Sequence, residues 1–158
     1  MHWTIPGTTI TVPESDQMRI SDRFAGLFLA GGLTLSQISA ITGLEGYVIQ
    51  NWTRRGFLLP PVGRKYDLAQ LCRIATLNAV KDALPLEQIC RILDHSGADM
   101  QAYFLFAEQI RGRGAEEGID EKMQLTLDTL QNAWQAAEMI RKTNEIFARG
   151  VQTQQTRI

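Results

Sequence analysis

The side chains whose types and spacing suggest chemistry in this chain are hydrogen-bonding and cationic rather than catalytic. Tyr47, Gln50, Asn51 and Arg54 stand at i, i+3, i+4 and i+7, so on a helix they share one face. The amides of Gln and Asn can each make two hydrogen bonds to the edge of adenine. Arg can do the same with guanine, and a Tyr hydroxyl can reach a phosphate. Arg55, Arg64 and Lys65 follow closely and add charge for a phosphate backbone. The plain alternative is a solvated polar face, which every amphipathic helix has.

Net charge over the 158 residues is only −1, which does not advertise a nucleic-acid partner. Its distribution says more. Residues 33–96 hold seven Lys/Arg and five Asp/Glu, a balance of +2; residues 97–150 hold six and nine, a balance of −3. The cations are therefore local to the stretch that carries the polar face, and salt-sensitive contact with phosphates is the expectation.

Two short helices and a hairpin must position these groups. Thr34 with Gln37 has capping-box spacing, and Leu35, Ile38 and Ile41 then recur at helical intervals. Ser39 is small enough for a close crossing by the next helix. Gly43 ends the first helix by taking a positive φ. The second helix spans about Glu45 to Arg55, with Val48, Ile49 and Trp52 as its apolar stripe. Gly56 closes it, and Phe57, Leu58 and Leu59 pack beneath. Pro60, Pro61 and Gly63 then turn the chain so that Arg64 and Lys65 project as a wing.

The run GLEGYVIQNWTRRGFL, followed by RKY and a later Leu-Glu-Gln-Ile helix, resembles the DNA-binding domain of MerR-type regulators. GGLTLSQISAITGL, IQNWTRRGFL-PP and KYDLAQLCRI are more narrowly similar to a bacterial group of MerR-like proteins known as a domain of unknown function. The resemblance covers about Phe28 to Leu93. It implies a winged helix-turn-helix, a wing arginine at Arg64 that meets the DNA backbone, and dimers paired through later helices. Gln50 and Asn51 stand where MerR proteins usually carry an Arg-Tyr pair.

Elsewhere the pattern is helical. Residues 1–32 read as an extended arm, with a short strand near Thr9 to Val12, and a buttressing helix capped by Ser21 or Asp22. That helix runs through Phe24, Leu27, Phe28 and Leu29. Trp3 and Ile5 are candidates to pack on a second subunit. Asp67, with Gln70 three residues on, caps a helix reaching about Asp82. Pro85 opens another, a favoured first-turn position. Asp99 starts a further helix whose stripe is Met100, Tyr103, Phe104, Ala107 and Ile110. RGRGAEEG, residues 111–118, reads as a loop with Arg111 and Arg113 solvated. From about Asp120 to Ala148 no proline or glycine occurs, which predicts one long helix. Met123, Leu127, Leu130, Trp134 and Ala137 alternate by four and three. That spacing predicts a dimerisation seam with a second copy, with packing against the Met100–Ile110 helix as the alternative. Residues 151–158 read as a frayed polar tail.

Several classes have nothing to support them. There is no glycine-rich phosphate loop, paired catalytic carboxylates, Ser/His/Asp set or zinc-ligand spacing, so no enzyme, cofactor or metal is expected. Cys72 and Cys90 fall at core positions and read as buried reduced thiols. No secretory signal pattern opens the chain, and FAGLFLAGGLTL is too short to span a bilayer, so a cytoplasmic, non-membrane protein is expected. A small-molecule effector has only Tyr103, Phe104, Phe106 and Trp134 to line a pocket, and an ordinary aromatic core is the preferred reading of these four. The resulting expectation is a mainly α protein in three parts: arm and helix (1–32), a MerR-like winged helix-turn-helix (33–96), and a helical C-terminal region for dimerisation or effector binding (97–158). Its expected function is that of a transcription regulator that binds double-stranded DNA as a homodimer. The alternative, motivated by the near-neutral charge and the missing Arg-Tyr pair, is a protein-interaction adaptor built on the same core.

Overall fold

The computed structural model describes residues 1–114 and 118–156. A two-stranded antiparallel hairpin, β1 (His2–Thr4) and β2 (Thr11–Pro13), precedes seven helices. These are α1 (Ile20–Leu27), α2 (Leu35–Thr42), α3 (Gly46–Arg54), α4 (Leu68–Val80), α5 (Leu86–Ser96), α6 (Asp99–Ile110) and α7 (Glu121–Thr156). The mainly helical expectation holds.

One core runs through all three parts of the expected division, from Ile5 and Phe24 through Ile49 and Leu77 to Phe106 and Leu130. Helix α4 is its centre and packs on α2, α5, α6 and α7. Leu71, Cys72, Ile74, Ala75 and Leu77 are fully buried there. Its start is the expected capping box, with Asp67 accepting from the Gln70 amide and Gln70 accepting from that of Asp67, both at 2.8 Å. Helix α6 departs from its expected stripe. Ala102, Tyr103, Leu105, Phe106 and Ala107 are buried and Met100 is exposed, because α1, α4, α5 and α7 enclose it on several sides.

The N-terminal arm is corrected as well. Ile5 and Val12 are buried in the chain's own core, and Trp3 packs against that core, so none of them waits for a second subunit. Gly7, at φ +76°, lets the turn press on α4. A Cβ there would lie 1.9 Å from the Ala75 carbonyl oxygen. Tyr103, buried in α6, donates to the Pro6 carbonyl at 2.7 Å. Thr9 donates through its amide to the Ile41 carbonyl (2.7 Å) and through its hydroxyl to Ala40 (2.8 Å), satisfying carbonyls at the end of α2.

Helix α1 begins at Ile20 with Arg19 as its N-cap, rather than at Ser21 or Asp22. The cause is tertiary: the Glu108 carboxylate on α6 accepts the Ile20 amide at 3.0 Å and does the work of a capping side chain. The helix stops at Leu27, leaving Leu29 exposed in the turn. Pro85 is the N-cap of α5 rather than its first residue.

Arg111 is not solvated. Its guanidinium reaches the Asp16 carbonyl and lies 5.4 Å from the Trp3 ring centroid, and Arg113 also donates to the Asp16 carbonyl. Arg23, hydrogen-bonded to the Asp16 carboxylate at 2.7 Å, holds that group below its ordinary pKa. Residues 115–117 of the expected loop lie outside the described residues. Helix α7 runs past Gly150 to Thr156, about 54 Å at 1.5 Å per residue, where a frayed tail was expected. Residues 157 and 158 lie outside the described residues. Among those described, no helix is long and apolar enough to cross a membrane.

Candidate nucleic-acid interface

Helices α2 and α3 are joined as the sequence implies. Thr34 accepts from the Gln37 amide and Gln37 accepts from the Thr34 amide, completing the capping box. Gly43 takes φ +74° and turns the chain. The Ser39 hydroxyl donates to the Leu44 carbonyl inside the turn. The close crossing falls at Gly46, where an added Cβ would sit 3.3 Å from the Leu35 side chain.

Helix α3 buries Ile49 and Trp52 and half-buries Val48. Tyr47, Gln50, Asn51 and Arg54 are exposed on the other side, so this half of the expected site is brought together. Glu45 is the N-cap and its carboxylate makes no cap hydrogen bond.

The hairpin after α3 is tied at both ends. Leu33 and Tyr66 exchange backbone hydrogen bonds of 2.9 and 2.7 Å, which fixes the hairpin base to the residue before the N-cap of α2. At the tip, Val62 and Lys65 exchange bonds of 3.1 and 3.0 Å around Gly63 and Arg64. Both central residues have positive φ, +57° and +62°, as a two-residue type I′ turn requires. Glycine or asparagine is the usual second residue, so holding Arg64 in the left-handed region costs about 1–2 kcal/mol. Sequence reasoning missed a further support: the Gln70 side chain donates to the Leu59 and Pro60 carbonyls at 3.0 and 3.1 Å. Its capping role was legible; its second hydrogen-bonding duty needs the fold.

The cations divide into two kinds. Arg54, Arg64 and Lys65 are exposed and make no ion pair among the described residues. Arg55 instead pairs with Glu87 of α5 at 2.9 Å, its guanidinium 4.7 Å from the Phe57 ring centroid. Both partners are about half exposed, and such pairs contribute about 0–1 kcal/mol, so a phosphate can compete for Arg55. Exposed apolar side chains also mark this face: Leu59 is 76% exposed and Val62 85%.

The expected dimerisation residues are used at home. Met123, Leu127, Leu130 and Ala137 are buried and Trp134 half-buried, with Phe106 edge-on to Trp134 at 6.1 Å. Helices α4, α5 and α6 cover them, so of the two readings of that seam, packing within the chain holds. Besides Leu125, the exposed large apolar residues of α7 among the described side chains lie further along: Met139, Ile140, Ile146 and Phe147. Cys72 and Cys90 are free and buried, and burial raises both thiol pKa values, which leaves them protonated and unreactive. Among the described residues no group of His, Cys, Asp or Glu could hold a metal ion.

Residues 33–108 match a family model described as Domain of unknown function (DUF1836). The match begins at Leu33, where the hairpin base is tied to the residue before the N-cap of α2, and it runs past residue 96 into α6. No curated protein and no solved structure matches the chain.

Proposed function

We propose that the chain binds duplex DNA as a winged helix-turn-helix regulator and does so as a homodimer. The observation that carries this reading is Arg64. A charged residue held in the left-handed region at an exposed hairpin tip is a local cost that no ion pair of its side chain among the described residues offsets. Such strain recurs at functional sites. In this reading α3 enters the major groove, Gln50, Asn51 and Arg54 meet base edges, Tyr47 meets phosphate, and Arg64 and Lys65 hold the flanking backbone. The MerR-type resemblance over residues 28–93 supports the wing role of Arg64, while Gln50 and Asn51 depart from the Arg-Tyr pair usual there.

Two variants test it together. Arg54→Ala with Arg64→Ala lowers affinity for a selected duplex by about 1–3 kcal/mol for the base-reading arginine, with a further loss for the phosphate contact. Arg64→Gly keeps stability within about 1 kcal/mol, because relief of the left-handed cost offsets glycine's greater chain entropy. It still weakens DNA binding and makes that binding less salt-dependent. Band-shift titration alongside urea unfolding reads both quantities. Undiminished affinity in the double variant would sink the mechanism.

The dimer is proposed at the far part of α7. Antiparallel pairing of two copies about Thr143 sets Met139 opposite Phe147 and Ile140 opposite Ile146. Burying each large apolar side chain contributes about 1.5–3 kcal/mol. Ile140→Glu with Phe147→Glu is therefore expected to raise the dissociation constant on the order of 100-fold or more. Sedimentation equilibrium measures it, and a mass that is the same with and without the substitutions counts against the seam.

A second reading, an adaptor that meets another protein, is favoured by the Arg55–Glu87 neutralisation and by exposed Leu59 and Val62. Duplex binding confined to salt below about 50 mM, with no sequence preference, selects it over the regulator.

A further inference from the structure

A cleft of about 490 Å³ lies where β1 and the following turn meet the end of α4 and the middle of α7. That size suits a small molecule. Its floor is fixed. Asn78 donates to the carbonyls of Gly7 (3.1 Å) and Thr42 (3.0 Å), and Ile5 beside them is 1% exposed. Trp3 and Trp134 supply aromatic surface.

The charged lining is balanced: Lys81 and Arg141 against Asp82 and Glu138. Arg141 is committed. It pairs with Glu138 at 3.1 Å and Asp82 at 3.8 Å, donates to the Ala79 carbonyl, and its guanidinium lies 5.1 Å from the Trp134 ring centroid. Those three charges sum to −1. Lys81 has no carboxylate within ion-pair distance among the described residues, and its ammonium sits 6.0 Å from the Trp52 ring centroid. The cleft thus presents one cation without a carboxylate partner among the described residues, a cluster with excess negative charge, and two indoles.

From this arrangement we propose that the cleft binds an aromatic amino acid as its zwitterion. The ligand carboxylate meets Lys81, its ammonium meets Asp82 and Glu138, and its ring lies against Trp3 and Trp134. An anion alone meets the Asp82–Glu138 cluster, and a cation alone meets Lys81, so each single-charge ligand loses one partner and faces one like charge.

The test uses the full chain without DNA, so it succeeds or fails independently of the regulator reading. Calorimetric titration and thermal unfolding are run with L-tryptophan, L-tyrosine and L-phenylalanine. Tryptamine, which lacks the carboxylate, and indole-3-propionate, which lacks the ammonium, are run beside them. The expected result is binding by at least one amino acid with a raised melting temperature. The two single-charge compounds bind about tenfold more weakly or less. Exposed Lys81 tolerates substitution, and Lys81→Met lowers amino-acid affinity about tenfold without lowering that of tryptamine, which is relieved of a like charge. Binding by none of the three amino acids overturns the proposal. So does tryptamine or indole-3-propionate binding as tightly as the amino acids, or amino-acid binding that Lys81→Met does not change.

Discussion

Phe24→Ala is expected to lower the unfolding free energy by about 3–5 kcal/mol, the range for emptying a large aromatic site in a core. Phe24 is fully buried. Its ring stacks on Tyr103 at 5.4 Å and meets Phe104 edge-on at 5.8 Å, so the substitution removes aromatic contacts from α6 as well as its own transfer energy. The cavity cannot collapse easily, because Tyr103 is itself held by its hydrogen bond to Pro6. Urea unfolding should show the lower midpoint in one cooperative transition, since one core joins α1 to α7. Phe28→Ala, at a half-buried position, should cost distinctly less. A loss below about 1 kcal/mol for Phe24→Ala would instead describe an arm that rides on the outside of the body.

The parts of this fold that were legible in the sequence are those fixed by neighbours in the chain. Thr34 with Gln37 and Asp67 with Gln70 close their capping boxes within three residues, and Gly43 turns the chain where it stands. The polar face of α3 follows from spacing alone. What escaped sequence reasoning depends on distant partners. Glu108 caps α1 from 88 residues away. Asp16 draws in Arg111 and Arg113, which alone look like loop cations. Periodicity also failed where a helix is enclosed. Helix α6 buries Ala102 and Leu105 as well as Tyr103 and Phe106, so no single stripe describes it. On α7 the heptad-like spacing from Met123 to Ala137 points to a seam with a second copy, yet α4, α5 and α6 of the same chain cover it, because spacing cannot say which chain supplies the covering helix.

That the cations near α3 differ in kind was equally hidden. Arg54, Arg55, Arg64 and Lys65 look alike in sequence, yet Arg55 is tied to Glu87 while the others are left to solvent. The site depends on this division, because only charges without a partner bring their full attraction to a phosphate. Arg73, close by in sequence, carries the division furthest: its guanidinium is committed entirely to holding the protein together.

Arg73→Met is expected to destabilise the chain by about 3 kcal/mol, the lower end of the range for breaking a buried ion pair, because solvent screens part of the cluster. The Arg73 side chain is only 14% exposed. Its Nε donates to the Phe57 carbonyl at 2.7 Å, and its Nη1 lies 3.0 Å from both Asp94 and Asp99. One guanidinium therefore fastens the exit of α3 to the end of α5 and the start of α6. Methionine keeps the stem's volume but leaves the Phe57 carbonyl without this donor and the two carboxylates beside each other without a cation. The partners should not be equivalent. Asp94 is 68% exposed, so Asp94→Asn should cost under about 1 kcal/mol. Asp99, at 26%, should cost more. The ordering Arg73→Met, then Asp99→Asn, then Asp94→Asn in urea midpoints is the outcome to look for. Equal losses at the two aspartates would mean that desolvation does not set the strength of this cluster. Because Phe57 directly follows the turn out of α3, Arg73→Met should also weaken duplex binding at temperatures where the variant is still folded, although Arg73 lies outside the proposed contact surface.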